Sequence, residues 1–272
     1  MNKQLKILDS EYFDIFIHID RKSEMKIEDI EPCKLSKLYI YKEIKVYWAH
    51  FSQVECELFL IKKALEQEEK YDYLHLISGV DFPLKKADEI YDFFNENYGL
   101  EFVHFESLEL DKIKKEWIKY YRWVKDKDEN SFSRKIDYYL VKLQRSLGIN
   151  RFKKFNIKFY TGTNWFSITD KFGEYVVSKE KWIKKLKYAA NIDEIFLQTI
   201  IYNSEFKNNL YYKGFDNDYN ACKRLLKWVG NKAYVWTMKD LKTIEESDLF
   251  FARKFDINTD REIIDYLYEK LI

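Results

Sequence analysis

Hydrophobic and polar positions along the chain fall into short blocks whose period changes repeatedly. Residues 12–20 (YFDIFIHID) form an apolar, β-branched and aromatic run that ends in charges, the pattern of a buried strand entering a loop. A second strand region is predicted over 38–41 (LYIY) with Val46-Tyr47-Trp48. From 52 to 67 the period becomes helical: Val54, Leu58, Ile61 and Leu65 share one face behind Ser52, a residue able to cap. Residues 73–78 (YLHLIS) read as a further strand, and 79–84 (GVDFPL) turn it into a helix over 88–97. This β-α-β-α order predicts an α/β fold with a twisted, mainly parallel sheet flanked by helices, whose ligands bind outside the carboxyl ends of the strands.

The second half is read in the same way. About 111–156 is rich in Lys, Tyr and Trp and helical in pattern; 159–169 (FYTGTNWFSIT) reads as strand, glycine turn, strand; 170–178 as helix. A helix opening at Asp193-Glu194 and running to 203 follows, then a strand-like stretch over 233–237. There is no internal repeat. Two prolines and seven glycines leave little material for linkers, so the expectation is one domain over 1–272 with a helical insertion at about 105–156.

Charge and composition narrow the function classes. Lys+Arg number 47 against 46 Asp+Glu, a net charge of +1, which argues against a general nucleic-acid binder because such proteins need a cationic surplus to displace counterions. At 46% hydrophobic the chain can bury a core. The cysteines Cys33, Cys56 and Cys222 are too few and scattered for a disulfide framework or a zinc site. A charged N-terminus and the lack of any apolar run of about 18 residues lead to the expectation of a cytoplasmic protein, at most peripheral to the inner face of a membrane.

Candidate chemistry comes next. GxGxxG, P-loop, HExxH and GxSxG signatures are missing, which disfavours the dinucleotide, kinase-like NTPase, zinc-protease and serine-hydrolase classes. Asp126-Lys127-Asp128 and Asp216-Asn217-Asp218 are Asp-x-Asp triplets of the kind that hold a divalent cation on a sugar nucleotide, but neither follows a strand and each also reads as a solvated loop. Asp81 follows a predicted strand and is either a cleft carboxylate or a turn former. Glu194 opens a helix with one apolar face, as a general base with a raised pKa or as an ordinary first-turn acid. Arg253-Lys254 stands between FFA and FD, suited to a diphosphate clamp or to surface snorkelling.

Six phrases in order, FIHIDRKS (16–23), YWAHFSQVECELFLIKKAL (47–65), YDYLHLISGVDFPLKKADEIYDFF (71–94), GTNWFSITDKFGEYVV (162–177), DEIFLQTIIYNS (193–204) and DLFFARKFD (248–256), together resemble the core-2/I-branching glycosyltransferase family. That family includes β-1,6-N-acetylglucosaminyltransferases and protein O-xylosyltransferases, and the chain looks most similar to soluble bacterial-type members. The resemblance implies a GT-A-like fold, a UDP-sugar donor, inversion at the anomeric carbon and no metal or other cofactor. It implies that Glu194 is the base, that Arg253 and Lys254 face the diphosphate with Lys232 as a further basic residue, and that Asp81 meets the donor sugar. It also matches Asp20 to the end of the nucleotide-binding strand, and Asn164 and Trp165 to the acceptor border.

The chain departs from the family pattern in two places. Trp48-Ala49-His50 stands where glycines are usual, and similar proteins place a strand before the helix that here reads 3–8. The sheet is therefore expected to lack that first strand. The expected activity is transfer of N-acetylglucosamine or xylose to a glycan or lipid-linked saccharide acceptor; the alternative is a UDP-sugar- or glycan-binding protein with weakened turnover. An RNA binder built on 111–156 is a third reading, disfavoured by the charge balance.

Overall fold

The fold is built of short strands and helices, and the computed structural model describes residues 1–123, 132–216, 218–230 and 232–272. Helix α1 (Asn2–Leu8) leads into β1 (Ile15–His18), which pairs in parallel with β2 (Leu38–Tyr41), Ile15 opposite Leu38. Helix α2 (Ser52–Leu65) buries the expected face, Val54, Leu58 and Ile61. Ser52 does not cap it; its hydroxyl accepts from the Tyr47 N–H at 2.9 Å and pins the preceding loop. Next come β3 (Tyr73–His75), β4 (Asp81–Pro83), α3 (Ala87–Glu96), β5 (Phe102–Val103), α4 (Lys112–Lys119) and α5 (Phe132–Ser146). The rest of the chain gives β6 (Phe166–Thr169), α6 (Asp170–Ser178), α7 (Glu180–Ile183), α8 (Phe196–Tyr202), β7 (Arg224–Leu226), β8 (Trp228–Val229) and β9 (Lys232–Ala233). It closes with α9 (Leu241–Glu245), β10 (Phe251–Arg253) and α10 (Arg261–Leu271).

The architecture is mixed α/β with small sheets, which corrects the expectation of one mainly parallel sheet. Among the described residues the ladders are β1-β2, β4-β10-β7, β3-β6-β5 and β8-β9. Only β1-β2 and β10-β7 are parallel; β4-β10, β3-β6, β5-β6 and β8-β9 run antiparallel. The expectation took 73–78 as one strand that the turn at 79–84 leads into a helix. The chain instead forms two strands there, β3 and β4, which join different ladders and each pair antiparallel, β3 with β6 and β4 with β10.

Several local expectations change as well. Val46-Tyr47-Trp48 is loop, and 159–165 is not a strand before the turn; only β6 is. The helix expected at Asp193 begins as a single 3₁₀ turn, Ile192–Glu194, with α8 starting at Phe196.

The main core joins α2, β6, α6 and α8 through Val54, Ile61, Ile168, Phe172, Ile195 and Phe196. A second core packs Phe82 of β4 and Ala252 of β10 on Ile263 and Leu267 of α10. Each large apolar side chain so buried is worth roughly 1.5–3 kcal/mol, so the two clusters anchor the segments on either side of the loops described next. A cavity of about 270 Å³ lies between β1, β3 and α2, with Phe13, Ile15, Leu74, Phe94 and Phe166 in its wall beside Glu57. Among the described residues no helix is long and apolar enough to cross a membrane.

Candidate active site

The antiparallel register of β4 and β10 sets Arg253 opposite Asp81. The Arg253 Nη1 donates to Asp81 Oδ1 at 3.1 Å and to Ser78 Oγ at 2.7 Å. Its guanidinium also lies 4.7 Å from the centroid of the Trp165 ring, a cation–π stack. Asp81 is buried, and its Oδ2 accepts the Ser78 N–H at 2.6 Å. Burial pushes the Asp81 carboxyl above its ordinary range, with Arg253 pulling the other way. Trp165, expected at the acceptor border, is a buried platform beneath Arg253; Asn164 beside it is half-buried and makes no hydrogen bond among the described residues.

Lys254 is positioned by its backbone, whose N–H donates to the Tyr234 carbonyl at 3.1 Å and whose carbonyl accepts from the Trp236 N–H at 3.0 Å. Among the described residues its ammonium has no ion pair, so of the two adjacent cations Lys254 is the uncommitted one. Lys232 is exposed on β9, two positions before Tyr234, and the structure does not bring it into contact with Arg253 or Asp81.

Glu194 ends the 3₁₀ turn, which the chain enters through Asn191 at a φ of 46° and which fully buried Ile192 and Ile195 hold down. Its carbonyl accepts from the Gly162 N–H at 3.1 Å. A Cβ at Gly162 would stand 1.8 Å from the His104 carbonyl oxygen, so only glycine permits this approach. The Thr163 N–H donates to His104 Nδ1 at 3.1 Å, while His104 Nε2 donates to the Asp216 carbonyl at 2.8 Å, which defines the neutral tautomer. Gln198 Nε2 donates to the Thr163 carbonyl at 2.7 Å. Trp165 follows Gly162 by three positions, a span of roughly 10 Å at most, so one short loop ties the Glu194 turn to the Arg253 platform.

Burial, aided by the nearby charges of Asp193 and Glu106, pushes the Glu194 carboxyl up to about 8, while Lys114 opposes the shift. Lys114 is buried and paired with Glu106. Behind the turn Asp193 is pushed up to about 6 by burial and accepts from Gln53 Nε2 at 3.1 Å. Glu57, raised by burial and then by Asp193, faces the same space. Gln53 Oε1, Glu57 Oε2 and Asp193 Oδ1 are all buried without a hydrogen-bond partner. Acceptors facing one another in this way favour the protonated carboxyls.

Asp20 lies past the end of β1, and its Oδ1 accepts the N–H groups of Lys22 at 3.0 Å and Val46 at 3.2 Å. Burial would raise its carboxyl, but these bonds and the Lys22 charge outweigh it and leave the net shift downward. The loop so pinned continues to Ala49, at a φ of 53°, whose carbonyl accepts from the Asn191 N–H at 3.3 Å. That left-handed conformation is one glycine adopts without strain, which gives the departure at Trp48-Ala49-His50 a physical meaning. Asp20, the Glu194 turn and the Arg253 platform are thus linked by two loops.

Residues 2–249 match the sequence profile of the Core-2/I-Branching enzyme family. The chain belongs to the core-2/I-branching family. It is 24% identical to β-1,3-galactosyl-O-glycosyl-glycoprotein β-1,6-N-acetylglucosaminyltransferase 4 of Danio rerio, over 94% of this chain and 62% of that protein. It is 25% identical to a Homo sapiens β-1,3-galactosyl-O-glycosyl-glycoprotein β-1,6-N-acetylglucosaminyltransferase, with the same two coverages. A xylosyltransferase of Ciona intestinalis is 21% identical over 100% of this chain and 32% of its own length. The chain thus spans under two thirds of these relatives, all of them glycosyltransferases.

Within this core-2/I-branching chain, of the two Asp-x-Asp triplets only Asp216 and Asp218 fall among the described residues. Asp216 accepts from Tyr212 Oη and the Asp218 N–H, and Asp218 accepts from the Asn220 N–H, so both shape a turn. Asp126-Lys127-Asp128 lies outside the described residues. Among the described residues no three His, Cys, Asp or Glu side chains form a metal-binding group. Sequence reasoning missed Glu57, Asp193, Glu106 and Lys114. Glu57 did leave a signal, three residues after Val54 and four before Ile61 on the apolar face of α2. Glu106 and Lys114 left none, since only the fold of α4 against the 104–106 segment joins them.

Proposed function

We propose that this core-2/I-branching family member is an inverting, metal-independent glycosyltransferase that moves N-acetylglucosamine or xylose from a UDP-sugar to a hydroxyl of a glycan or lipid-linked saccharide. The observation that carries the reading is Glu194, a carboxyl shifted to about 8 and tied by the 162–165 loop to the Arg253-Asp81-Trp165 cluster. A carboxylate with that affinity for a proton is a much stronger base than an ordinary glutamate. In the proposed step Glu194 takes the proton of the acceptor hydroxyl as its oxygen attacks the anomeric carbon in line. The bond from that carbon to the UDP oxygen breaks, and UDP leaves with the electron pair.

Developing charge on the leaving diphosphate calls for fixed cations. Lys254 is uncommitted and takes that role first, with Lys232 as the second basic group and Arg253 acting while it orients Asp81 toward the donor sugar. Asp20 fixes the loop at the end of β1 where the nucleotide is expected. Asn164, next to the platform, borders the acceptor in this reading.

The test is UDP release from UDP-N-acetylglucosamine and from UDP-xylose in the presence of EDTA. Turnover with EDTA present supports the proposal, and its loss sinks the metal-free mechanism. Replacing Glu194 by Gln should lower turnover by about 10²–10⁴-fold with UDP binding intact. Because the base must be deprotonated, the wild-type rate should rise with pH through about 8. An active Glu194→Gln protein refutes the base assignment, and UDP binding without turnover in the wild type favours the binding-protein alternative.

A further inference from the structure

Helix α5 carries an apolar stripe that the fold leaves outside. Its inward face is fixed by polar contacts: Arg122 Nη1 donates to buried Asp137 at 2.6 Å, and Gln144 exchanges hydrogen bonds with the Tyr121 backbone, accepting at 2.7 Å and donating at 2.9 Å. With that face held, Phe132, Ile136, Tyr139, Leu143 and, just past the helix end, Leu147 recur at i, i+4, i+7, i+11 and i+15 on the opposite side. At 100° per residue these positions fall within one narrow arc. They are 39 to 77% exposed. Single exposed apolar residues are ordinary, but a stripe running the length of a helix marks a surface that meets something.

Charge decides what it meets. Lys135 and Lys142 flank the stripe and are exposed, and Arg145 follows on the same side of the inward face. The only acidic residue on α5 is Asp137, which is buried and neutralised by Arg122. A second copy of this chain laid stripe to stripe would set these lysines against identical lysines. A surface with fixed negative charge above an apolar layer satisfies both features at once.

We propose that α5 docks on an anionic lipid bilayer, its apolar stripe at the boundary of headgroups and acyl chains and Lys135 and Lys142 at the lipid phosphates. The helix is joined to α4 by the Arg145–Glu116 pair at 3.0 Å, and α4 carries Lys114 beside Glu194.

Flotation with vesicles of phosphatidylcholine, with and without phosphatidylglycerol, tests this. The chain should float with the anionic vesicles at low salt and be released as salt shortens the screening length. Combined Ile136→Ser, Tyr139→Ser and Leu143→Ser changes should weaken binding on the order of 100-fold, since three partly inserted apolar side chains are lost. Lys135→Gln with Lys142→Gln should weaken it about 30-fold on anionic vesicles, from ~5-fold per surface lysine, and leave neutral vesicles unaffected. All five residues are exposed, and an unchanged melting temperature verifies the fold of each variant. No flotation with anionic vesicles, variants that bind like the wild type, or a dimer in light scattering that the triple change dissociates would each overturn the proposal.

Discussion

Replacing Arg253 by Met should expose how far the candidate site depends on one ion pair. The change removes the Nη1 contacts to Asp81 Oδ1 at 3.1 Å and Ser78 Oγ at 2.7 Å while keeping an unbranched apolar stem over Trp165. At that separation and an effective dielectric of about 20 the attraction is on the order of 5 kcal/mol, and removing one partner of a buried pair costs about 3–5 kcal/mol. The Arg253 side chain is 27% exposed, so solvent screening places the expected loss near the lower end, about 3 kcal/mol.

The loss must also depend on pH in a definite direction. Asp81 titrates above its ordinary range in the folded protein, so the folded state holds its proton more tightly than the unfolded chain does. That group's contribution to stability falls as pH rises from the ordinary Asp value, about 3.9, up through the folded value. Arg253 pulls the folded value down, so its removal widens the window. The variant should trail the wild type most at neutral pH and recover as the pH falls and Asp81 protonates. Urea unfolding of both proteins between pH 4 and 8 measures this, and a further change of Asp81 to Asn should return much of the stability at pH 7. A loss below about 1 kcal/mol at neutral pH, or a gap that does not narrow in acid, would refute the argument.

Three other outcomes are expected. Gly162→Ala puts a Cβ 1.8 Å from the His104 oxygen, so the loop must shift; a loss of roughly 3 kcal/mol and a melting temperature lower by about 6–12 °C should follow, and an unchanged melt would contradict it. Glu57→Gln removes a carboxyl whose folded value is raised by burial, so the variant should gain on the wild type by up to about 1.4 kcal/mol per pH unit above the ordinary Glu value; urea midpoints at pH 5 and 8 that keep a constant gap would count against this. Lys254→Met should raise the dissociation constant for UDP at least about tenfold, as calorimetry would register, and tight binding by the variant would remove Lys254 from the diphosphate site.

What the sequence revealed follows the range of the interactions involved. Helices α2 and α6 were legible because their period and, for α6, the Thr169 hydroxyl accepting from the Phe172 N–H at 3.1 Å are local properties. Asp81 and Arg253 could each be singled out, but their meeting could not, because it depends on the register of two strands 172 residues apart. The sequence pattern predicts an α-helix opening at Asp193-Glu194; the left-handed Asn191 before it instead produces a 3₁₀ turn, and the deciding contact, from Gly162, comes from another segment. Trp165 was ambiguous between core and ligand border for a related reason. Its ring serves a cation contributed by the last strand.

The cavity between β1 and β3 bears on how the molecule breathes. The amides of Ile15 and Ile19 donate toward β2 and its continuation, so by the alternation of a strand that of Phe16 points away, toward the cavity. On the other wall the Leu76 amide donates to Phe166, which turns the amides of His75 and Ile77 inward as well. Donors that face a cavity trade their hydrogens for deuterium through small local fluctuations, without waiting for global unfolding. The middle of this α/β layer, where the slowest exchange is ordinarily found, should therefore label with the kinetics of a rim.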